Sequence, residues 1–133
     1  MISTKGLLYI EPKGQVADEP LIDEATQKMT AAIRAHYATG CMNLDGAFAE
    51  GCSTRGFHVC HCGEAHSSSV DYLLSNGEVT NSLSIHYLAY HRDEVPPDQL
   101  TRVLALIDGE AHPSKYELTG AVWLTTDETT KKR

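Results

Sequence analysis

Apolar residues recur along this chain in two rhythms, and the change from one to the other divides it into elements. Between Asp18 and Gly40, the residues Ile22, Ala25, Met29, Ala32, Ile33 and His36 return every three or four positions, which is one face of a helix. Asp18 can cap it, Pro20 suits its first turn and Gly40 stops it, so a helix is predicted over about 19–39. Leu83, Tyr87, Leu88 and Tyr90 predict a second helix over about 81–94, capped by Thr80 or Asn81 and ended by Pro96-Pro97. Leu100, Val103, Leu104 and Ile107 predict a third over 97–108, begun at Pro97-Asp98 and stopped by Gly109.

Shorter apolar runs fit strands. Gly6-Leu7-Leu8-Tyr9-Ile10 is one, and residues 70–75, closed by the Asn76-Gly77 turn, are another. Ser114 and Glu117 spell a capping box for a fourth helix, whereas Val122-Trp123-Leu124-Thr125 could instead extend as a strand. Residues 40–56 hold four glycines and little periodicity, and read as an irregular connection. The expected architecture is α+β, with three or four helices packed on a small antiparallel sheet that includes 57–61 and 70–75. One domain over 1–126 followed by a frayed polar tail at 127–133 is expected from the length.

The chemistry lies where period two meets a glycine. In Gly56-Phe57-His58-Val59-Cys60-His61-Cys62-Gly63, an extended backbone turns His58, Cys60 and Cys62 to one face. Cys60 and Cys62 would lie about 6.6 Å apart at Cα in extended chain, and a turn at Gly63 could aim both sulfurs at one ion. His86 and His91 supply a second pair. Five residues on an ideal helix separate them by about 140°, so they meet only if the last turn before Pro96 loosens. The expected ligand set is Cys60, Cys62, His86 and His91 around a structural zinc, with His58 as a rival fourth ligand or a partner to one of the four. The competing reading makes the cysteines small buried hydrophobes and the histidines a core residue and a surface residue. For Cys41, Cys52 and His66 the plain structural reading is preferred.

The strand, turn, strand, turn, helix order over 56–92 is loosely similar to a zinc-finger hook, with a much longer interval between the cysteine and histidine pairs. The Gly-x-His-x-Cys-x-Cys-Gly run, followed by His86-Tyr87-Leu88 and His91, also looks like segments in uncharacterised small bacterial proteins, a resemblance that implies no activity.

Other functions are constrained by what accompanies these residues. The net charge of −7 opposes the basic footprint of nucleic-acid binding. No apolar run approaches the roughly 18 residues that a membrane helix needs, and Met1 to Gly6 does not resemble a secretory signal. A cytoplasmic protein is expected, with cysteines free or metal-bound rather than paired in disulfides. The favoured role is a noncatalytic, zinc-stabilised protein that binds a protein or small-molecule partner. The exposed side of Tyr87, Tyr90, His91 and Arg92 is the nominated surface, set against a reading in which the tyrosines cover the core. One alternative is a metal-dependent hydrolase with three protein ligands and a water activated by Glu64, Asp71 or Glu94, although no H-E-x-x-H or comparable signature is present. A second is a thiol redox protein using Cys60 and Cys62, without the usual C-x-x-C.

Overall fold

The computed structural model describes residues 2–3, 5–14, 16–36, 38–42, 47–51, 59–60, 62, 65 and 70–120. Among these the chain is α+β. Six short strands are β1 (Ile2–Ser3), β2 (Lys5–Gly6), β3 (Ala38–Met42), β4 (Ala47–Glu50), β5 (Asp71–Leu73) and β6 (Glu78–Thr80). Four helices are α1 (Glu24–Arg34), α2 (Leu83–Tyr90), α3 (Pro97–Leu104) and α4 (Lys115–Leu118). A single 3-10 turn over Arg92–Glu94 joins α2 to α3. The sheet order is β1-β4-β3-β5-β6-β2, antiparallel throughout except for the parallel edge pair of β2 and β6.

Side-chain alternation on β5 divides the interior. Tyr72, with Leu74 just beyond the strand, joins Met29, Ile33, Leu83, Leu88 and Val103 in the main core, while Leu73 packs with Val79 and Ala38 in a smaller cluster. Every residue of α2 from Leu83 to Ala89 is buried, so α2 is a central helix rather than a surface one. Its neighbours are α1 and α4. A histidine in the middle of such a helix has to be accommodated by the core, and this sets up the site described below.

The α+β class agrees with the sequence expectation, but the first helix is shorter than its apolar rhythm suggests. Its cap is Asp23, whose carboxylate accepts the Thr26 N–H at 3.3 Å. The preceding residues are drawn along α2 instead, where Ala17 N–H donates to the Tyr90 carbonyl and Leu21 N–H to that of Ala89. At the far end α1 stops at Arg34, and the chain turns into β3 within four residues. Residues 40–56, expected to be irregular, hold most of the paired strands β3 and β4. Gly40 is what the pairing needs there, since a Cβ at that position would collide with the Ala49 carbonyl oxygen. Period two is hard to see in Ala38-Thr39-Gly40-Cys41-Met42 because small residues carry little apolar contrast.

The capping box at Ser114 and Glu117 is formed and begins α4. In the expected strand 57–61, Val59 makes an isolated bridge, and Phe57, His58 and His61 lie outside the described residues, as do residues 121–133. Cys41 is disulfide-bonded, which corrects the expectation that the cysteines are free or metal-bound, whereas Cys60 and Cys62 are not in a disulfide. The argument for a reducing compartment loses its force with that bond. No helix among the described residues is long and apolar enough to cross a membrane.

Candidate metal centre

Cys60, Cys62, His86 and His91 converge, with one ligand atom from each lying within 4.8 Å of all the others. The elements that place them are separate. Cys60 N–H donates to the Ala65 carbonyl at 2.9 Å, closing a tight loop that carries Cys62 between them. His86 projects from the middle of α2, and His91 is the residue that ends it. The backbone at His91 leaves the helix, with φ −127° and ψ 36°. That departure solves the angular problem of a five-residue spacing, because His91 no longer follows the helical screw. The two imidazoles meet edge to face with centroids 5.0 Å apart.

Each histidine turns the same nitrogen towards a sulfur. Cys62 Sγ is 3.4 Å from His86 Nε2, and Cys60 Sγ is 3.3 Å from His91 Nε2. A tetrahedral zinc with bonds of about 2.3 Å to sulfur and about 2.0 Å to nitrogen has S–N edges of about 3.5 Å. The two short edges therefore already match a metal site, and no pair of ligand atoms exceeds the tetrahedral S–S edge of about 3.8 Å by more than about 1 Å.

Protonation fits as well. His86 Nδ1 lies 3.0 Å from the Leu118 carbonyl oxygen at the end of α4. A carbonyl only accepts, so Nδ1 carries the proton and leaves the Nε2 lone pair aimed at the cluster. Burial holds the His86 pKa down to about 4, opposed by that hydrogen bond and reinforced by His91. Burial likewise depresses His91, with Glu94 acting in the opposite direction. Both rings are thus held in the neutral state that a ligand requires. His91 Nδ1 is buried with no hydrogen-bond partner, while the nearest Glu94 oxygen stands 3.8 Å away. This unpartnered nitrogen is on the edge of the ring away from the sulfur that Nε2 faces.

The surroundings fix the two helix ends. Arg92 forms two hydrogen bonds with the Asp23 carboxylate, at 2.6 and 2.9 Å, and its Nε donates to the Leu88 carbonyl at 3.1 Å. It ties the start of α1 to the end of α2 immediately beside His91. Beneath His86, Glu117 is fully buried and grips Arg34 of α1 through two bonds of 2.6 and 2.8 Å, while accepting from Ser114 N–H. The Leu118 carbonyl that orients His86 is therefore anchored through α4 to α1. Sequence reasoning could not find this carbonyl, since a backbone oxygen has no residue signature.

The other sequence candidates are elsewhere or undescribed. His58, His61, His66, Cys52 and Glu64 lie outside the described residues. His36 bonds through Nδ1 to the Ile33 carbonyl and meets the Tyr72 ring edge to face, and His112 Nδ1 contacts the Pro113 carbonyl. Asp71 is engaged with Tyr9, whose hydroxyl is pushed well above its ordinary pKa by burial and by that carboxylate. Glu94 faces the Nδ1 edge of His91, the side away from the sulfurs. Tyr87 is buried, in agreement with a core role rather than with the nominated partner surface. Against Cys60 lies a hollow of about 220 Å³ whose walls include Tyr9, Ile10, Glu11, Val59 and Tyr87. Compared with known proteins, the chain matches no family model, no curated protein and no solved structure.

Proposed function

We propose that this protein is a zinc-stabilised binding protein in which Cys60, Cys62, His86 and His91 hold one ion in a closed site. The observation that carries it is the convergence of two thiols and two neutral imidazoles from two separate segments into one cluster. Four protein donors satisfy a tetrahedral ion without a water, which favours a structural over a hydrolytic role. The chemistry a bound zinc supplies is cross-linking of the Cys60–Cys62 loop to both ends of the α2 segment that carries the histidines. The hollow beside Cys60, with tyrosines on its walls and Glu11 at its side, supports a small-molecule partner as the thing bound. The hydrolase reading gains nothing from Glu94 or Asp71, because each is directed to another group. The redox reading lacks the positive charge that would lower a thiol pKa, because burial holds both imidazoles beside the sulfurs in the neutral form.

The test is metal content after purification without a metal-affinity step, together with Cys60→Ser and His86→Ala. About one zinc per chain is expected in the wild type, with loss of zinc and a fall in melting temperature in both variants. Zinc-finger peptides gain about 10 kcal/mol or more from such a site, so the fall should be large. A wild type that takes up no zinc, even when it is supplied in solution, would overturn the proposal.

A further inference from the structure

We infer that Glu94 is the outer partner of His91 and that the N-terminal segment around Lys13-Gly14 is thereby part of the metal site, an inference that rests on the zinc reading above. Three observations meet here. His91 presents Nε2 to Cys60 and leaves Nδ1 buried and unpartnered, 3.8 Å from Glu94 Oε2. The Glu94 carboxylate is itself held from far along the chain, where Lys13 N–H donates to Oε1 at 2.8 Å and Gly14 N–H to Oε2 at 2.9 Å. At Gly14 a Cβ would come within 2.9 Å of Oε2, the far end of the Glu94 side chain, so a side chain there would push the carboxylate aside.

The chemistry follows from the donor set. An imidazole that binds a metal through Nε2 becomes a stronger donor at Nδ1, and a carboxylate is its strongest acceptor. Closing the present gap to a charge-assisted hydrogen bond requires a shift of about 1 Å. The two amides leave the carboxylate charged and aimed, and Glu94 N–H donates to the His91 carbonyl at 3.0 Å, so the pair is also fixed through the backbone. Glu94 is a positioning residue in this arrangement. It fixes the tautomer and ring orientation of His91 and lies too far from the sulfurs' side of the ring to be a ligand. By reciprocity, a metal that tightens the His91–Glu94 contact also tightens the grip on Lys13 and Gly14. Ala17 and Leu21 are likewise bonded to the end of α2, so zinc should tighten the contacts of Lys13 and Gly14 beside them.

The experiment measures the affinity of the whole chain for zinc(II) by competition with a chelator, in the wild type, Glu94→Gln, Gly14→Ala and Asp93→Asn. Loss of an outer partner typically weakens a metal site by about 10- to 100-fold, and that loss is expected in Glu94→Gln. Gly14→Ala keeps the carboxylate but displaces it and should shift the affinity in the same direction. Asp93→Asn, which changes a neighbouring exposed carboxylate, should stay within about twofold of the wild type on the additivity expected for a site with no shared partner. Backbone amide exchange at Lys13 and Gly14 should slow on adding zinc to the wild type and not to Glu94→Gln. Wild-type zinc affinity in Glu94→Gln, in a protein that does bind zinc, would overturn this inference alone. No zinc binding by the wild type would overturn the metal reading and this inference with it.

Discussion

Asp23 shows how much a single side chain does beside this site. It caps α1 through Thr26 N–H and clasps the Arg92 guanidinium next to His91. The hydrogen bond from Arg92 is the main reason its carboxyl sits at about 2, below the ordinary 3.8, with burial opposing and the Thr26 bond assisting. A carboxyl depressed in the folded state contributes stability that is fully present above pH 3.8 and is lost as the pH falls towards about 2. Asp23→Asn keeps a side-chain oxygen that can cap the helix and removes the charge. Its melting temperature should be below that of the wild type at neutral pH, and the difference should shrink as the pH is lowered through that window. Parallel melting curves across the window would contradict the assignment. At this same scale the sequence was partly legible. Cysteine and histidine announce their chemistry by type, but Glu94 was weighed only as a water-activating group, and its contact with the Nδ1 edge of His91 needs the three-dimensional arrangement.

Among the elements, α4 has only four residues and cannot be stable as an isolated helix. It holds because the capping box closes its first turn and because buried Glu117 is clamped by Arg34. Truncating Arg34 to alanine leaves that carboxylate buried with only the Ser114 N–H for a partner. Breaking a buried ion pair from one side costs about 3–5 kcal/mol, and the partial exposure of Arg34 reduces this to about 2–3 kcal/mol. Chemical denaturation of Arg34→Ala should show that loss, with partial recovery in Arg34→Lys, and an unchanged midpoint would contradict it. The capping box was readable because its two residues act locally. By contrast, the β3–β4 hairpin was hidden, because what makes Gly40 necessary is the approach of the Ala49 carbonyl from another strand. The premature end of α2 was foreseen only as a condition for bringing His86 and His91 together, and the structure meets it by turning His91 off the helix.

On the scale of the whole molecule, the site joins what the sheet and helices leave separate. One pair of candidate ligands comes from a tight loop near Ala65 and the other from the central helix and its end. The imidazoles are backed by α4 on one side and face the Glu94 carboxylate, held by the N-terminal segment, on the other. Helical rhythm identified α1 and α3 from sequence because each keeps a polar face, whereas α2, buried along its length, was marked mainly by its flanking cap residues and Pro96-Pro97. The sheet was harder, since strands of two to five residues carry little pattern and their pairing is set by partners distant in sequence. The account as a whole requires that Cys60, Cys62, His86 and His91 bind one ion together, and zinc-edge X-ray absorption of the purified protein reads that directly. It should show two sulfurs at about 2.3 Å and two nitrogens at about 2.0 Å around the metal. A first shell built only of nitrogen and oxygen, or one that keeps its two sulfurs in Cys60→Ser, would contradict it.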